Sequence, residues 1–360
     1  MTASAVVIVS DVIRNGKSVM GFAFDSIGRY SHGGILRERF VPRFLDANPE
    51  DYQDSDRGGL DPFKIWNILM RGEKPGGHGE RPGAVGLLDA AVWDLAAKLE
   101  DKPLWRLLAE RFGDGTGHAR IPVYATTGHY HSENDIAQLG NDVGTCLDLG
   151  FNTVKIKAGG ATLSEDERRI DTALGVINDQ GSLALDLNGI MSQTEAEVFI
   201  KIIGDRDLAW LEEPVGPLDF EATKAVAHST DIPIATGENL FSAEDTRNLL
   251  LYGGLRQDRD ILQMDISLSY GIVEYLRILD ELKLHGWSRN QCAPHAGHLL
   301  AFNTVAGLGL GLHETAPHGD LSSALKVKDG FVQPTTSPGV GFENHPGFKL
   351  IFDDIASSHL

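Results

Sequence analysis

The strongest constraint on this 360-residue chain is a repeat that fills its middle. From Ile121 to Glu314, short apolar runs alternate with amphipathic helical stretches. The runs are Ile121–Ala125, Thr153–Ile156, Leu183–Asp186, Ala209–Leu211, Ile232–Ala235, Ile261–Met264, Gln291–Ala293 and Leu308–Leu312. Several helical stretches open on a capping-box pair: Ser132/Asp135, Ser164/Glu167, Ser192/Glu195 and Ser242/Asp245. In such a pair the Ser hydroxyl accepts the third backbone N–H while the acid reaches back. Strand, loop and capped helix in alternation predict a parallel sheet with right-handed crossovers. A doubly wound sheet shares that local pattern. Eight units favour a (β/α)8 TIM-like barrel, so the predicted class is α/β.

The first part of the chain has another style. Val6–Asp11 and Ser18–Phe24 predict strands joined by Arg14-Asn15-Gly16-Lys17, a hairpin turn centred on Asn-Gly. Leu60–Met70 and Val85–Leu99 predict helices, the second with Val85, Leu88, Val92, Leu95 and Leu99 at helical spacing. Residues 1–115 are therefore expected to form an α+β capping domain and residues 116–315 the barrel. Residues 316–360 are expected to return to the cap, with a strand pair near Leu325–Val332.

Charge and cysteine content narrow the partners. The net charge is −19, and a strongly acidic surface repels phosphate backbones and anionic lipid. Neither nucleic acid nor a membrane surface is an expected partner. No apolar run approaches the roughly 20 residues a membrane span needs. The opening Val6-Val7-Ile8-Val9 lacks a basic leader and predicts a strand. Two distant cysteines, Cys146 and Cys292, fit a reducing compartment. A cytoplasmic homo-oligomer acting on a small molecule is expected.

Catalytic groups of a barrel sit where its strands end, and these ends are crowded with chemistry. The second run ends in Lys155-Ile156-Lys157 and the third in Asp186-Leu187-Asn188. The fourth ends in Glu212-Glu213-Pro214, the fifth in Gly237-Glu238-Asn239 and the sixth in Gln263-Met264-Asp265. The seventh ends in Pro294-His295 and the eighth in His313-Glu314. Asp186, Glu212 and Glu238 stand 26 residues apart, so consecutive repeats deliver carboxylates to equivalent places. Converging carboxylates stay ionised only around a cation. An all-oxygen donor set favours Mg²⁺ over Zn²⁺. Surface acids after strands are the commoner occurrence, but three at equal spacing opposite two lysines are not explained that way.

Lys155 and Lys157 alternate along one strand and face the same side. Neighbouring ammonium groups are expected to depress each other's pKa, which makes a base near neutral pH. Asp265 is placed to orient His295. A zinc site from Cys292, His295 and His298 lacks a fourth ligand. Gly307-Leu308-Gly309-Leu310-Gly311 follows a helix, the reverse of the order a phosphate loop needs, and is read as packing.

Together these residues resemble the enolase superfamily in its mandelate racemase-like branch, and within it the D-tartrate dehydratase group. The likeness spans nearly the whole chain. Closest are Gly28-Arg29-Tyr30, Glu73 to Arg81 (EKPGGHGER), Ala235 to Ser242 (ATGENLFS), Asp258 to Gln263 (DRDILQ), Leu268-Ser269-Tyr270-Gly271 and Pro294 to His298 (PHAGH). The resemblance implies Mg²⁺-assisted elimination of water from a hydroxy diacid, D-tartrate to oxaloacetate. The alternative is dehydration or epimerisation of another acid sugar such as galactarate. It implies that Asp186, Glu212 and Glu238 hold Mg²⁺ and that Lys157 removes the α-proton. Lys155 then lowers the Lys157 pKa and contacts the substrate carboxylate. His295, paired with Asp265, protonates the leaving hydroxyl, and Glu314 hydrogen-bonds the enediolic oxygen.

Substrate contacts are expected from Asn188 and from the cap loop Glu73 to Arg81. There Lys74 would meet a second carboxylate and His78 would add a hydrogen bond. Two departures from the family pattern are expected to matter. The chain is expected to start at the second strand of the cap, so that either the start codon is assigned late or the lid is truncated. The segment Thr315 to Leu321 is shorter than in tartrate dehydratases.

Overall fold

The Asn15-Gly16 turn forms where it is predicted. Both residues take positive φ, 50° and 75°, matching a hairpin turn to the twist of its strands. Strands β1 (Ala5–Arg14) and β2 (Lys17–Phe24) pair antiparallel across it, Arg14 opposite Lys17. In this computed structural model, residues 4–25, 32–54, 59–74, 76–317, 326–344 and 346–357 are described. Gly28-Arg29-Tyr30, Pro75, Leu325 and most of the segment after Thr315 lie outside them.

Helix α1 (Pro62–Leu69) starts at Asp61, whose carboxylate accepts from the Phe63 and Lys64 amides. Helix α2 (Arg81–Leu99) is longer than the predicted Val85–Leu99 and is buried almost all round, Pro82 through Lys98. The five-residue apolar spacing marked only one of its covered faces. Mid-helix Asp94 is a joint: it accepts from Phe22 N at 2.8 Å, Val340 N at 2.6 Å and Lys98 Nζ at 2.7 Å. Phe352 stacks on Phe22 at 4.6 Å, so the chain's last described residues return to the hairpin. Helix α3 (Leu104–Phe112) follows.

Six parallel strands come next: β3 (Ile121–Thr127), β4 (Thr153–Lys157), β5 (Ser182–Asp186), β6 (Leu208–Glu212), β7 (Ile234–Thr236) and β8 (Ile261–Leu262). Between them run α4 (Asp135–Asp148), α5 (Leu163–Ile177), α6 (Gln193–Ile203), α7 (Phe220–Ser229) and α8 (Ala243–Tyr252). After β8 come α9 (Ile272–Leu284) and α10 (Leu299–Leu308). The sheet curls, because β9 (His313–Thr315) pairs in parallel with the first of these strands, His313 opposite Val123. Strand β10 (Phe331–Val332) pairs antiparallel with the start of β3, and α11 (Pro346–Ser357) ends the described chain.

The seventh and eighth runs differ from prediction. The seventh is a single bridge, Cys292 to Leu262, and the Cys292 carbonyl accepts from Gly311 and Leu312. The eighth strand is His313–Thr315, not Leu308–Leu312. Leu308 closes α10, which is buried from Leu300 to Leu308. An apolar run covered on every side shows no period, so helix and strand are indistinguishable there. Two capping pairs also move. The box before α5 is Thr162/Glu165, two residues ahead of Ser164/Glu167, and α4 starts after Asn134 with no side-chain cap. Ser192/Glu195 forms fully; Ser242 accepts from the Asp245 amide.

Inside the curl, Tyr124, Ala184, Trp210 and Ala235 make a small core, with Tyr124 edge-on to Trp210 at 5.0 Å. The larger core lies between sheet and helices. The Gly-Leu-Gly-Leu-Gly stretch is packing, as predicted: a Cβ on Gly311 would fall 1.9 Å from the Asn290 carbonyl oxygen. Among the described residues, no helix is long and apolar enough to cross a membrane.

Candidate active site

Parallel pairing sets the three carboxylates side by side. Asp186 of β5 is in register with Glu212 of β6 and with Lys157 of β4. Glu238 follows β7 two residues beyond Thr236. Ligand atoms of Asp186, Glu212 and Glu238 lie within 4.8 Å of one another, and all three residues are buried.

Glu212 and Asp186 are each held by their own donors. Glu212 Oε1 accepts from Lys155 Nζ at 2.5 Å, and its Oε2 from Gln263 Nε2 at 2.7 Å and Trp210 Nε1 at 3.1 Å. Asp186 accepts from Lys157 Nζ at 2.6 Å and, through Oδ1, from the Asn188 amide at 2.9 Å. Asn188 is thus a backbone donor to the triad, with its side chain exposed and φ at 49°. Beside the triad, Asn239 Nδ2 donates to both oxygens of Glu213, at 2.9 and 3.1 Å.

The electrostatics show what this cluster suits. Burial drives Glu212 up to about 8; Lys155 pulls it down, while Asp186, Glu314 and Glu238 push it up. Burial also pushes Asp186 up, but Lys155 and Lys157 bring it below the usual carboxylate range. A buried acid that resists ionisation among other acids is a site for a cation. Three hard oxygen donors fit a divalent one.

Lys155 departs from expectation. Burial by itself would lower its pKa, yet Glu212, Glu314 and Asp186 hold it well above the ordinary lysine range. Its Nζ lies 2.5, 3.2 and 3.5 Å from those carboxylates. The sequence pattern showed two neighbouring ammonium groups; it did not show three acids from other strands closing on one of them. Lys157 stands nearer the opening, its side chain 23% exposed.

On the other side of the triad, His295 Nδ1 lies 3.0 Å from Asp265 Oδ2 and its Nε2 lies 3.5 Å from Glu238 Oε2. Burial lowers the imidazole, but Glu238, the Asp265 hydrogen bond and Glu314 outweigh it and raise it to about 10. Glu314 is pinned by Thr126 Oγ1 at 2.7 Å and by the Ala296 amide at 3.0 Å. His298 caps α10 through the Ala301 amide. Burial holds the Cys292 thiol up at about 12. The one metal-holding group among the described residues is the carboxylate triad.

The loop from Glu73 to Arg81 is placed differently from the rest. Lys74 is exposed. Both ring nitrogens of His78 are engaged, Nδ1 with Tyr270 Oη and Nε2 with Asp245 Oδ2, each at 2.9 Å. Glu73, which the sequence reading did not single out, faces Arg39, Arg43 and Arg81 at 2.8, 2.7 and 3.2 Å. Gln263 and Trp210 were also missed as partners of Glu212. Trp210 was within reach, since residues two apart on a strand share a face.

Residues 139–347 match the family described as Enolase C-terminal domain-like. The L-talarate/galactarate dehydratase of Salmonella typhimurium LT2 is 28% identical over 304 residues, covering 82% of this chain and 68% of its own. The D-galactonate dehydratase of Cronobacter sakazakii is 27% identical over 314 residues, covering 79% of this chain and 78% of its own. The crystal structure of the Salmonella enzyme superposes with a TM-score of 0.76 at 25% identity, over 96% of this chain and 83% of that one. A racemase from Streptomyces coelicolor A3(2), crystallised with bound magnesium, gives a TM-score of 0.76 at 23% identity, over 96% and 91%. With its family match over more than half its length and the same fold throughout, this chain belongs to the enolase superfamily, in the mandelate racemase/muconate lactonizing enzyme-like branch.

Proposed function

We propose that this protein is a Mg²⁺-dependent acid-sugar dehydratase, built as a (β/α)8 barrel under an α+β cap. The observation that carries this reading is the arrangement around the triad. A lysine sits against its first member, Asp186, and a carboxylate-held histidine against its last, Glu238. Base and acid therefore flank one substrate position, as a β-elimination requires.

Asp186, Glu212 and Glu238 would hold Mg²⁺. When bound, the ion supplies a Lewis acid that stabilises charge building on a substrate carboxylate. Lys157 Nζ takes the proton from the carbon next to that carboxylate. Lys155, kept charged by its three acids, donates to the developing oxyanion side. Asp265 accepts Nδ1–H of His295, which leaves Nε2 to face the substrate and give its proton to the departing hydroxyl. The Cα–H and Cβ–O bonds break, a C=C bond forms and water leaves. The enol then tautomerises to an oxo-acid. Glu314, fixed by Thr126 and Ala296, meets the enolic oxygen from the far side.

The dehydratase relatives support a longer acid sugar, such as galactarate or galactonate, ahead of D-tartrate. Lys74, exposed on the cap loop, is the cation we assign to a carboxylate remote from the metal. Lys74→Met should then slow turnover of a diacid about ten- to a hundredfold, the worth of one charge-assisted contact, and a monoacid much less. Two free, buried cysteines agree with action in the cytoplasm. The test is a panel of galactarate, L-talarate, D-galactonate and D-tartrate with Mg²⁺ in deuterated water. Oxo-acid from a six-carbon substrate supports the reading. A deuterated epimer without oxo-acid makes the enzyme an epimerase, and oxo-acid from D-tartrate alone restores the shorter substrate.

A further inference from the structure

Residues 266–271, between Asp265 and α9, are held from the cap at several points. Trp66 Nε1 of α1 donates to the Tyr270 carbonyl at 3.0 Å. The Tyr270 hydroxyl meets His78 Nδ1 and accepts from Arg81 Nε, both at 2.9 Å. Buried Asp89 of α2 accepts from the Ile272 amide at 2.6 Å. It caps α9 from another element, since the N-cap position is Gly271 and offers no side chain. At Gly86 the α2 backbone lies directly on this loop, where a Cβ would fall 1.8 Å from the Ser267 carbonyl oxygen.

Tyr270 holds this place at φ 59°, a region costly for a residue with a large side chain. Glycine or asparagine would adopt it more cheaply. What the tyrosine adds is a hydroxyl that reaches two cap residues. At its other end the loop grips the acid side of the site: the Leu268 amide donates to Asp265 Oδ1 at 2.8 Å. The second oxygen, Oδ2, is the one that meets His295 Nδ1. A carboxylate is planar, so fixing one oxygen fixes the direction of the other.

We propose that Tyr270 is a positioning residue for His295. The cap holds the loop through the Tyr270 hydroxyl and carbonyl, the loop holds the Asp265 carboxylate plane through Leu268, and Asp265 decides which imidazole nitrogen faces the substrate. The inference rests on His295 being the acid of the proposed elimination. It makes the cap part of the acid half of the chemistry as well as a cover for the site, and it leaves the lysine half untouched.

The test uses the full-length protein with Mg²⁺ and ¹⁵N-labelled histidine. The His295 ring signals are identified by their loss in His295→Asn. Tyr270→Phe keeps the ring and removes the hydroxyl. Its His295 ring signals should shift and broaden relative to wild type, because an imidazole whose Asp265 partner is no longer held in one plane loses its fixed direction. Oxo-acid formation should fall about tenfold, while deuterium exchange at the substrate α-carbon stays within twofold. Trp66→Phe loosens the same loop at its carbonyl contact and should give the same split, which keeps the test open if Tyr270→Phe does not fold. Unchanged His295 signals, or equal losses in exchange and elimination, overturn the proposal. If wild type forms no oxo-acid from any acid sugar, the functional reading fails, while the His295 signals still decide the role of Tyr270.

Discussion

Glu212 and Glu73 are the same residue type, and both side chains are 0% exposed, yet their surroundings work in opposite directions. Around Glu73 burial is outweighed by Arg43, Arg81 and Arg39, and its pKa falls below the usual value. Around Glu212 burial is reinforced by Asp186, Glu314 and Glu238, and its pKa rises to about 8. Glu73 and its three arginines make a charge cluster complete in itself. The strand-end cluster is completed by a cation from outside. In a fold with both, matched charge marks structure and unmatched charge marks the site.

The largest test of that contrast removes the triad. Asp186→Ala, Glu212→Ala or Glu238→Ala should each cut Mg²⁺-dependent turnover by a factor on the order of 10³ or more, given the several kcal/mol a Lewis acid contributes. Far-ultraviolet circular dichroism should stay that of a folded protein. Near wild-type rates in two of the three would move the metal elsewhere.

Next, the two flanks of the triad should separate. Lys157→Ala should abolish exchange of the substrate α-proton with solvent. His295→Asn should lower oxo-acid formation by about 10²-fold, within the usual range for a general acid, while exchange persists. Normal oxo-acid formation by His295→Asn would assign the acid to another group.

The Glu73 cluster should answer in stability. Glu73→Gln leaves three arginines without their carboxylate and should cost about 1–3 kcal/mol, read by chemical denaturation. The pH dependence has a definite sign. A depressed carboxyl contributes stability above its unfolded pKa near 4.5 and loses it as pH falls through the lower folded value. The variant should therefore lose less stability on acidification than wild type. Parallel acid-side curves for the two proteins would contradict the assignment.

The smallest effect is the mirror image at Glu212. Its folded pKa near 8 lies above the unfolded 4.5, so the folded protein binds the extra proton between those values. This group makes the metal-free protein less stable as pH rises through that window. In chelator, Glu212→Gln should have a Tm at pH 8 no lower than wild type. A clear drop would mean that Glu212 is matched as Glu73 is.

Much of this site is legible along the chain because strand ends recur. Asp186, Glu212 and Glu238 are 26 residues apart, and each repeat rotates the chain by one strand, so spacing becomes adjacency. The Asn15-Gly16 turn and the Ser192/Glu195 box are also local, decided by a few neighbouring residues. Less legible are features set by burial. The eighth strand hid beside α10, which is apolar on every face. The Lys155 pKa depends on Glu212 and Glu314, which lie 57 and 159 positions away in the chain.

By itself, the order of residues determined the alternation of strand and helix, the ring of acids with a lysine pair and a histidine, and the kind of ion those acids suit. These follow from side-chain periodicity and donor chemistry, which need only near neighbours. The tertiary structure alone decided that His78 joins Asp245 to Tyr270, that Glu73 gathers three arginines, and that Trp66 and Arg81 meet the loop that also contacts Asp265. Those contacts join elements distant in sequence, and their energies come from desolvation and charge pairing that exist only once the elements meet.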